Sequence, residues 1–348
     1  MKAINVNGQA PGGTRTRLAE VLPLDTPYVV QIFPIYACNF RCSYCVFSTE
    51  MEQRSFISDK VVMEMALYKK CIDGFRRFPH KLKTLRFVGM GEPLLHRGLP
   101  EMVAYATEAG VAERTEILTN ASLLTPALSD ALISAGLSRL SISLQGMSAV
   151  KYKEICGATI DFDELVSNIR YFYEYKGRCQ LYIKIIDCAL DGEKEEEAFY
   201  HRFGDICDLI SIEHAGPIFP FVDYTGVLEK SDRTLTQFGR TPVEAKVCPQ
   251  PFFTFQINPD GKVVPCYSIV YPEILGDCNT ESVLDIWNGE AFQAFRRSML
   301  LKGKDCCTVC RECEINAHRC FEEDSLDDEA QRLIPLFPLH PIPTSPEG

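Results

Sequence analysis

From Tyr28 to Glu213 the chain alternates six times between short β-rich apolar runs and stretches with helical periodicity. The runs are Tyr28 to Pro34, Thr84 to Val88, Thr115 to Leu118, Arg139 to Leu144, Leu181 to Ile186 and Leu209 to Glu213. Between the first two, Val61, Met65, Tyr68, Ile72 and Phe75 repeat at four- and three-residue steps, with Ser58 or Asp59 as the cap. Pro100 opens a helix that Gly110 closes, and Thr125-Pro126 opens one that Gly136 ends. Asp163 to Tyr175 and Glu193 to Phe203 read as two more. Such alternation predicts parallel strands joined by crossover helices, an α/β barrel or open sheet. Function in these folds gathers at the carboxyl ends of the strands.

One loop at such an end carries chemistry. Cys38, Cys42 and Cys45 follow the first run, separated by three and then two residues, close enough to turn their sulfurs toward one point. Thiolates are soft ligands that suit iron–sulfur clusters, zinc or copper(I). A closed zinc site takes four ligands and this loop offers three. Three cysteines on a four-iron cluster leave one iron open to a substrate or cofactor. A structural zinc loop is the alternative.

Composition narrows the setting. The 348 residues include 16 cysteines, and the formal net charge is −11. That balance argues against a nucleic-acid partner, which wants a basic face. No apolar stretch approaches the roughly 20 residues of a membrane helix, and Met1 to Thr26 has no signal-like run. The expectation is a cytoplasmic protein whose thiols serve metal or redox chemistry rather than disulfides. Residues 1–27 read as a loosely packed leader and 28–215 as the α/β unit. Residues 216–247 read as a linker, 248–330 as a cysteine-rich domain and 331–348 as a proline-rich tail without a packed core.

The cysteine loop, with aromatic Tyr44 before its last thiol, resembles the signature of the radical S-adenosylmethionine (radical SAM) enzymes. The resemblance implies a partial (β/α)6 TIM-like barrel and S-adenosylmethionine on a [4Fe-4S] cluster held by Cys38, Cys42 and Cys45. Reductive cleavage of that cofactor to a 5′-deoxyadenosyl radical follows from it. Gly89-Met90-Gly91-Glu92-Pro93 resembles the family's Gly-Gly-Glu-Pro segment, so Gly89, Gly91, Glu92 and Pro93 are expected at the cofactor, as is Tyr44. Asn120, Ser143 and Gln145 are further expected contacts at strand ends, Gln145 standing where aspartate is frequent in the family. Lys184 and Glu213 face the same way by period two. They are read as contacts to the cofactor carboxylate or the substrate, or as an ion pair with each other. Cys188, on the same strand side as Lys184, is weighed as a hydrogen donor to a substrate radical, against a simple packed residue.

The last third holds eight of the cysteines. Cys248, twelve residues, Gly261, four residues and Cys266 span a predicted hairpin, Phe252 to Ile257 and Val263-Val264 around Asn258-Pro259-Asp260-Gly261. This resembles the auxiliary-cluster extension of the same family, SPASM in its long form and twitch in its short form. The short form implies Cys248, Cys266, Cys310 and Cys313 as ligands of one auxiliary [4Fe-4S] cluster. Cys307 with Cys310 is the competing pair, and a structural zinc on the same four the other alternative.

The function implied is hydrogen abstraction from a small substrate, a sugar or aminocyclitol, ending in oxidation or epimerisation, with a flavodoxin- or ferredoxin-like electron donor. Maturation of a ribosomally made peptide is the alternative. The 37 residues before Cys38 weigh against it, because peptide-modifying relatives often carry a leader-binding domain there. A non-catalytic iron–sulfur or zinc-binding protein is the reading from another class, and it leaves Gly89 to Pro93 unexplained.

Overall fold

The computed structural model describes residues 1–9, 15–50, 52, 54, 60–219, 221–232, 234–267 and 270–338. Ten strands form one sheet in the order β1-β7-β6-β5-β4-β3-β2-β8-β9-β10. They are β1 (Ile4–Asn5), β2 (Val29–Ile32), β3 (Thr84–Phe87), β4 (Thr115–Thr119), β5 (Arg139–Leu144), β6 (Gln180–Ile186), β7 (Leu209–Glu213), β8 (Thr254–Ile257), β9 (Lys262–Val264) and β10 (Gly276–Asp277). β2 to β7 pair in parallel with their sequence neighbours, the six-unit partial barrel. β7 and β2 lie at opposite ends of this run, so the barrel stays open.

The strands divide by face. Val30, Ile32, Leu85, Phe87, Ile117, Leu140, Ile142, Leu181, Ile183 and Ile210 are fully buried and form the apolar core with the helices. Each such side chain contributes about 1.5–3 kcal/mol by leaving water. The alternate positions Gln31, Arg86, Glu116, Ser141, Tyr182 and Lys184 face a lumen. Helix ends follow local chemistry. Thr125 Oγ1 accepts from Leu128 N (3.2 Å) with Pro126 behind it, and Gly110 closes Leu99–Ala109 in the left-handed conformation.

Several expectations are corrected. The N-terminal segment is not loosely packed: β1 pairs in parallel with β7, and Ala3, Leu18 and Leu22 are buried. Val61 lies outside the helix Met65–Phe75 and is exposed. The Ser58 or Asp59 cap lies outside the described residues. A helix over Ala149–Cys156 carries no strong apolar stripe and is missing from the sequence reading. Phe252 and Phe253 belong to a helical turn, Gln250–Phe253, and the strand starts at Thr254. The first part of the tail packs: Leu333, Ile334 and Phe337 are buried.

The cysteine-rich region joins the barrel's sheet. β8 pairs in parallel with β2, and β9 turns back on β8. Phe255 stacks on Phe292 and meets Phe75 and Trp287 edge-on or tilted. Trp287 Nε1 donates to Leu24 O (3.1 Å), which ties this aromatic cluster to the segment before β2.

Candidate active site

The cysteine loop is held from three sides. Arg41 N and Ser43 N donate to Cys156 O and Ile155 O, so the unexpected helix Ala149–Cys156 braces the loop with its C-terminal carbonyls. Glu92 N donates to Ala37 O (2.8 Å) from the end of β3. Asn39 reaches the end of β4, accepting from Asn120 Nδ2 (3.1 Å) and donating to Ser122 Oγ (2.7 Å). The turn there puts Ala121 at φ 59°, a left-handed conformation that a non-glycine residue keeps only when its neighbours impose it.

The glycine segment serves this bracing. A Cβ on Gly89 would lie 2.4 Å from the Phe33 ring, and one on Gly91 would lie 2.2 Å from Ile35 O. Both glycines let the end of β3 pack on the chain entering the cysteine loop. Glu92 is buried, and its carboxylate accepts from Thr119 Oγ1 (2.5 Å), Asn120 N (2.7 Å) and Leu94 N (3.0 Å). Burial raises its pKa against those hydrogen bonds. The structure thus places Glu92 as a brace between β3 and β4, with its oxygens already engaged.

The thiols respond to the same enclosure. Burial pushes the Cys38 thiol up to about 12 and raises Cys45. Cys42 is raised too, first by its hydrogen bond with the Cys156 thiol and then by burial. Binding a metal centre takes these protons off, because ligand sulfur must be thiolate. Cys156, a neighbour of Cys42, had no signal in the sequence beyond being a cysteine.

A cavity of about 200 Å³ opens beside Cys45, walled by Tyr44, Ser143, Lys184, Glu213 and His318 among others. Gln145 donates to Ser143 O and accepts a hydrogen bond from the Tyr44 hydroxyl. An adjoining cavity of about 250 Å³ runs down the lumen past Met90, Glu116, Ser141 and Tyr182. Lys184 Nζ and Glu213 Oε2 are 2.6 Å apart between the two cavities, so the ion-pair alternative is the contact observed. Gln237 Nε2 also donates to Glu213 (2.7 Å) and Arg319 donates to Gln237, which extends the chain of contacts into the C-terminal segments. Gln237 and Arg319 are missing from the sequence reading. Gln237 lies in a stretch read as linker and gave no signal.

Cys188 is not among the residues that wall either cavity. It is buried in the turn Asp187–Ala189, close enough to Tyr44 to act on its hydroxyl electrostatically, and its N–H donates to Asp187 Oδ1. Among the described residues Cys45 is the one thiol lining the lumen cavity.

Lower in the lumen, Arg86 bonds Glu116 (2.9 Å) and Ser141 Oγ donates to it (2.6 Å). Arg139 Nη1 stands 4.0 Å from the same carboxylate. Arg86 and Glu116 inside strands otherwise read as apolar, and Arg139 at the start of one, were the signal for this ladder.

In the C-terminal region Cys248, Cys266, Cys310 and Cys313 line one small apolar cavity. The sulfurs of Cys306, Cys307 and Cys310 also lie within 4.8 Å of one another. Cys310 belongs to both groups, so the ligand set suits a thiolate-bound cluster.

The comparisons agree with this geometry. The radical SAM superfamily model matches residues 32–201, and the model of the SPASM iron–sulfur cluster-binding domain matches residues 248–314. A PqqA peptide cyclase of Rhodopseudomonas palustris is 23% identical, over 91% of this chain and 88% of its own length. A probable GTP 3′,8-cyclase of Sulfolobus acidocaldarius is 32% identical over 36% of each chain, so this chain spans about a third of that relative. Among solved structures, Streptococcus suis SuiB bound to S-adenosylmethionine has a TM-score of 0.60 at 14% identity, covering 90% of this chain and 79% of its own. BtrN in complex with AdoMet and 2-DOIA has a TM-score of 0.51 at 20% identity, covering 82% and 92%. Both share the fold. With its three-cysteine loop at the head of a partial barrel and its thiol-rich extension, the chain belongs to the radical SAM enzymes with a SPASM domain, which use S-adenosylmethionine and [4Fe-4S] clusters.

Proposed function

We propose that this enzyme dehydrogenates a small, hydroxyl-bearing substrate of the sugar or aminocyclitol class. The observation that carries the reading is the polar lumen beside Cys45. Glu116, Ser141, Tyr182, Lys184, Glu213 and Gln237 offer hydrogen-bonding groups around a space suited to one ring-sized polar molecule. Cys38, Cys42 and Cys45 would hold the first cluster. Cys248, Cys266, Cys310 and Cys313 would hold one auxiliary cluster, with Cys307 and Cys306 as the competing thiols. Bound S-adenosylmethionine on a reduced cluster supplies the radical that abstracts hydrogen. The protein orients the substrate and excludes water. Tyr44, Ser143 and Gln145 stand on the cofactor side, and Lys184 with Glu213 stands where cofactor and substrate meet.

Dehydrogenation is favoured over epimerisation because epimerisation needs a hydrogen-returning group at the lumen. Cys188 is buried behind Tyr44 and is not among the residues that wall the lumen, and Cys45 is assigned to the cluster. Product mass tests this. Loss of two hydrogens is expected; unchanged mass with solvent deuterium at one carbon would establish epimerisation instead. A peptide substrate is the second reading, favoured by the alignment with the PqqA peptide cyclase over 91% of this chain. A flavodoxin- or ferredoxin-like donor and a cytoplasmic setting complete the proposal, the latter supported by sixteen cysteines with no disulfide among them.

A further inference from the structure

The lumen does not end below the Lys184–Glu213 pair. Gln31, Arg86, Tyr267 and Arg319, which wall the cavity near Cys45, also wall a larger chamber of about 650 Å³. This chamber lies at the opposite, N-terminal ends of the strands, where Tyr28, Lys83, Arg114 and Ser138 precede β2 to β5.

Its charge is opposite to that of the chain. The protein carries −11 overall, yet five cations line this space, Arg15, Lys83, Arg86, Arg114 and Arg319, against the carboxylates of Glu113 and Asp324. Two of the five are matched: Arg15 pairs with Asp324 and Arg86 with Glu116. Lys83 forms no ion pair among the described residues. Its ammonium lies 3.5 Å from the Tyr28 ring centroid, and burial pulls its pKa down while Glu113 opposes the shift. Arg114 donates to the Thr84 hydroxyl (3.1 Å), and its Nε is buried without a hydrogen-bond partner. Arg319 spends its Nε on the neutral amide of Gln237. Just above, Arg139 keeps Nη1 buried without a hydrogen bond, 4.0 Å from Glu116. Arg86 and Arg139 thus share one carboxylate, Glu116, which Arg114 feels only through its field. Cations gathered half out of water in such excess repel one another and favour a counter-charge among them. Guanidinium forks suit the paired oxygens of phosphate and carboxylate.

We propose that this N-terminal chamber holds an anionic group of the substrate, a phosphate ester or a carboxylate, with Arg114 and Lys83 as its counter-charges, while the reacting carbon lies at the Cys45 end of the same lumen. The inference rests on reading the lumen as the substrate site.

Anaerobic calorimetry on the cluster-loaded full chain with S-adenosylmethionine tests it, using glucose 1-phosphate, glucuronate and glucose as probes. One of the anionic probes is expected to bind at least about tenfold tighter than glucose, the loss of a charged hydrogen bond being worth about that factor. Which of the two binds tighter separates phosphate from carboxylate. Arg114→Gln and Lys83→Gln should each weaken that probe by about tenfold, with Arg114→Lys retaining most of the affinity. Lys83 is only partly buried, so Lys83→Gln carries the test if the Arg114 variant does not fold. Neither anion binding better than glucose would overturn the proposal, as would both Gln variants binding the anions unchanged. Release of 5′-deoxyadenosine by the unsubstituted enzyme is recorded in the same preparation. If it forms and no anion preference appears, this inference fails alone. If it does not form, the proposed function fails, and the calorimetry still decides the chamber.

Discussion

At the scale of single residues, Glu116 matters most to the lumen. It is buried, and it receives Arg86, Ser141 and the nearby Arg139. Burial raises its carboxyl, but the guanidiniums and the serine together hold it below its ordinary value of 4.5. A carboxylate lowered on folding contributes stability that is present in full above the unfolded pKa and is lost as pH falls through the folded one. Glu116→Gln is therefore expected to lose about 3 kcal/mol near neutral pH, because buried Arg139 and half-buried Arg86 lose their counter-charge. Its unfolding midpoint should also depend less on pH below 4.5 than that of the unsubstituted protein. Denaturant titration across that range checks both. A variant as stable as the parent would show that Arg86 and Arg139 find other partners. The sequence shows Arg86, Glu116 and Arg139 as charges inside strands, but not that they meet. Their meeting depends on register, Arg86 opposite Glu116 and Glu116 opposite Arg139, which no local pattern encodes.

At the scale of elements, the cysteine loop is as rigid as its three supports. Its thiols and the Gly-x-Gly-Glu-Pro segment are legible because short-range chemistry demands those residue types. What Gly91 avoids is not legible: the carbonyls of Ile35 and Ala37, 2.2 and 2.9 Å from a Cβ built there, lie more than fifty residues back along the chain. Gly91→Ala is expected to push the loop off β3 and to lower iron bound at Cys38, Cys42 and Cys45 several-fold. The apolar core on the outer strand faces should remain, so far-UV circular dichroism should change little. Iron content equal to the parent's would mean that the loop yields without losing its geometry. The helix Ala149–Cys156 is the element most easily missed. Its exposed Val150 and buried Lys151 break the stripe that reveals an amphipathic helix, and its value lies in its C-terminal carbonyls.

At the scale of the whole molecule, the sheet runs unbroken from β1 through the barrel into the hairpin that carries Cys248 and Cys266. The alternation of strands and helices was sufficient for a parallel α/β sheet, and the choice of a partial barrel over an open sheet came from the family resemblance. The parallel pairing of β8 with β2 was not readable, because it joins residues more than two hundred positions apart through an aromatic cluster. C-terminal segments pack at the β7 side of the open seam, where Gln237 donates to Glu213 and Arg319 donates to Gln237 while lying over the Tyr267 ring. One molecule therefore puts a three-thiol loop at the head of the lumen and a thiol-rich extension along its edge. The direct test is anaerobic reconstitution, followed by an iron count and a 5′-deoxyadenosine assay on the reduced protein with S-adenosylmethionine. About eight irons per chain are expected, as two four-iron clusters, together with slow release of 5′-deoxyadenosine. Replacing Cys38, Cys42 and Cys45 by alanine should leave about four irons and no 5′-deoxyadenosine. Stoichiometric zinc without iron in the anaerobically handled protein, or undiminished cofactor cleavage by the triple variant, would contradict the account.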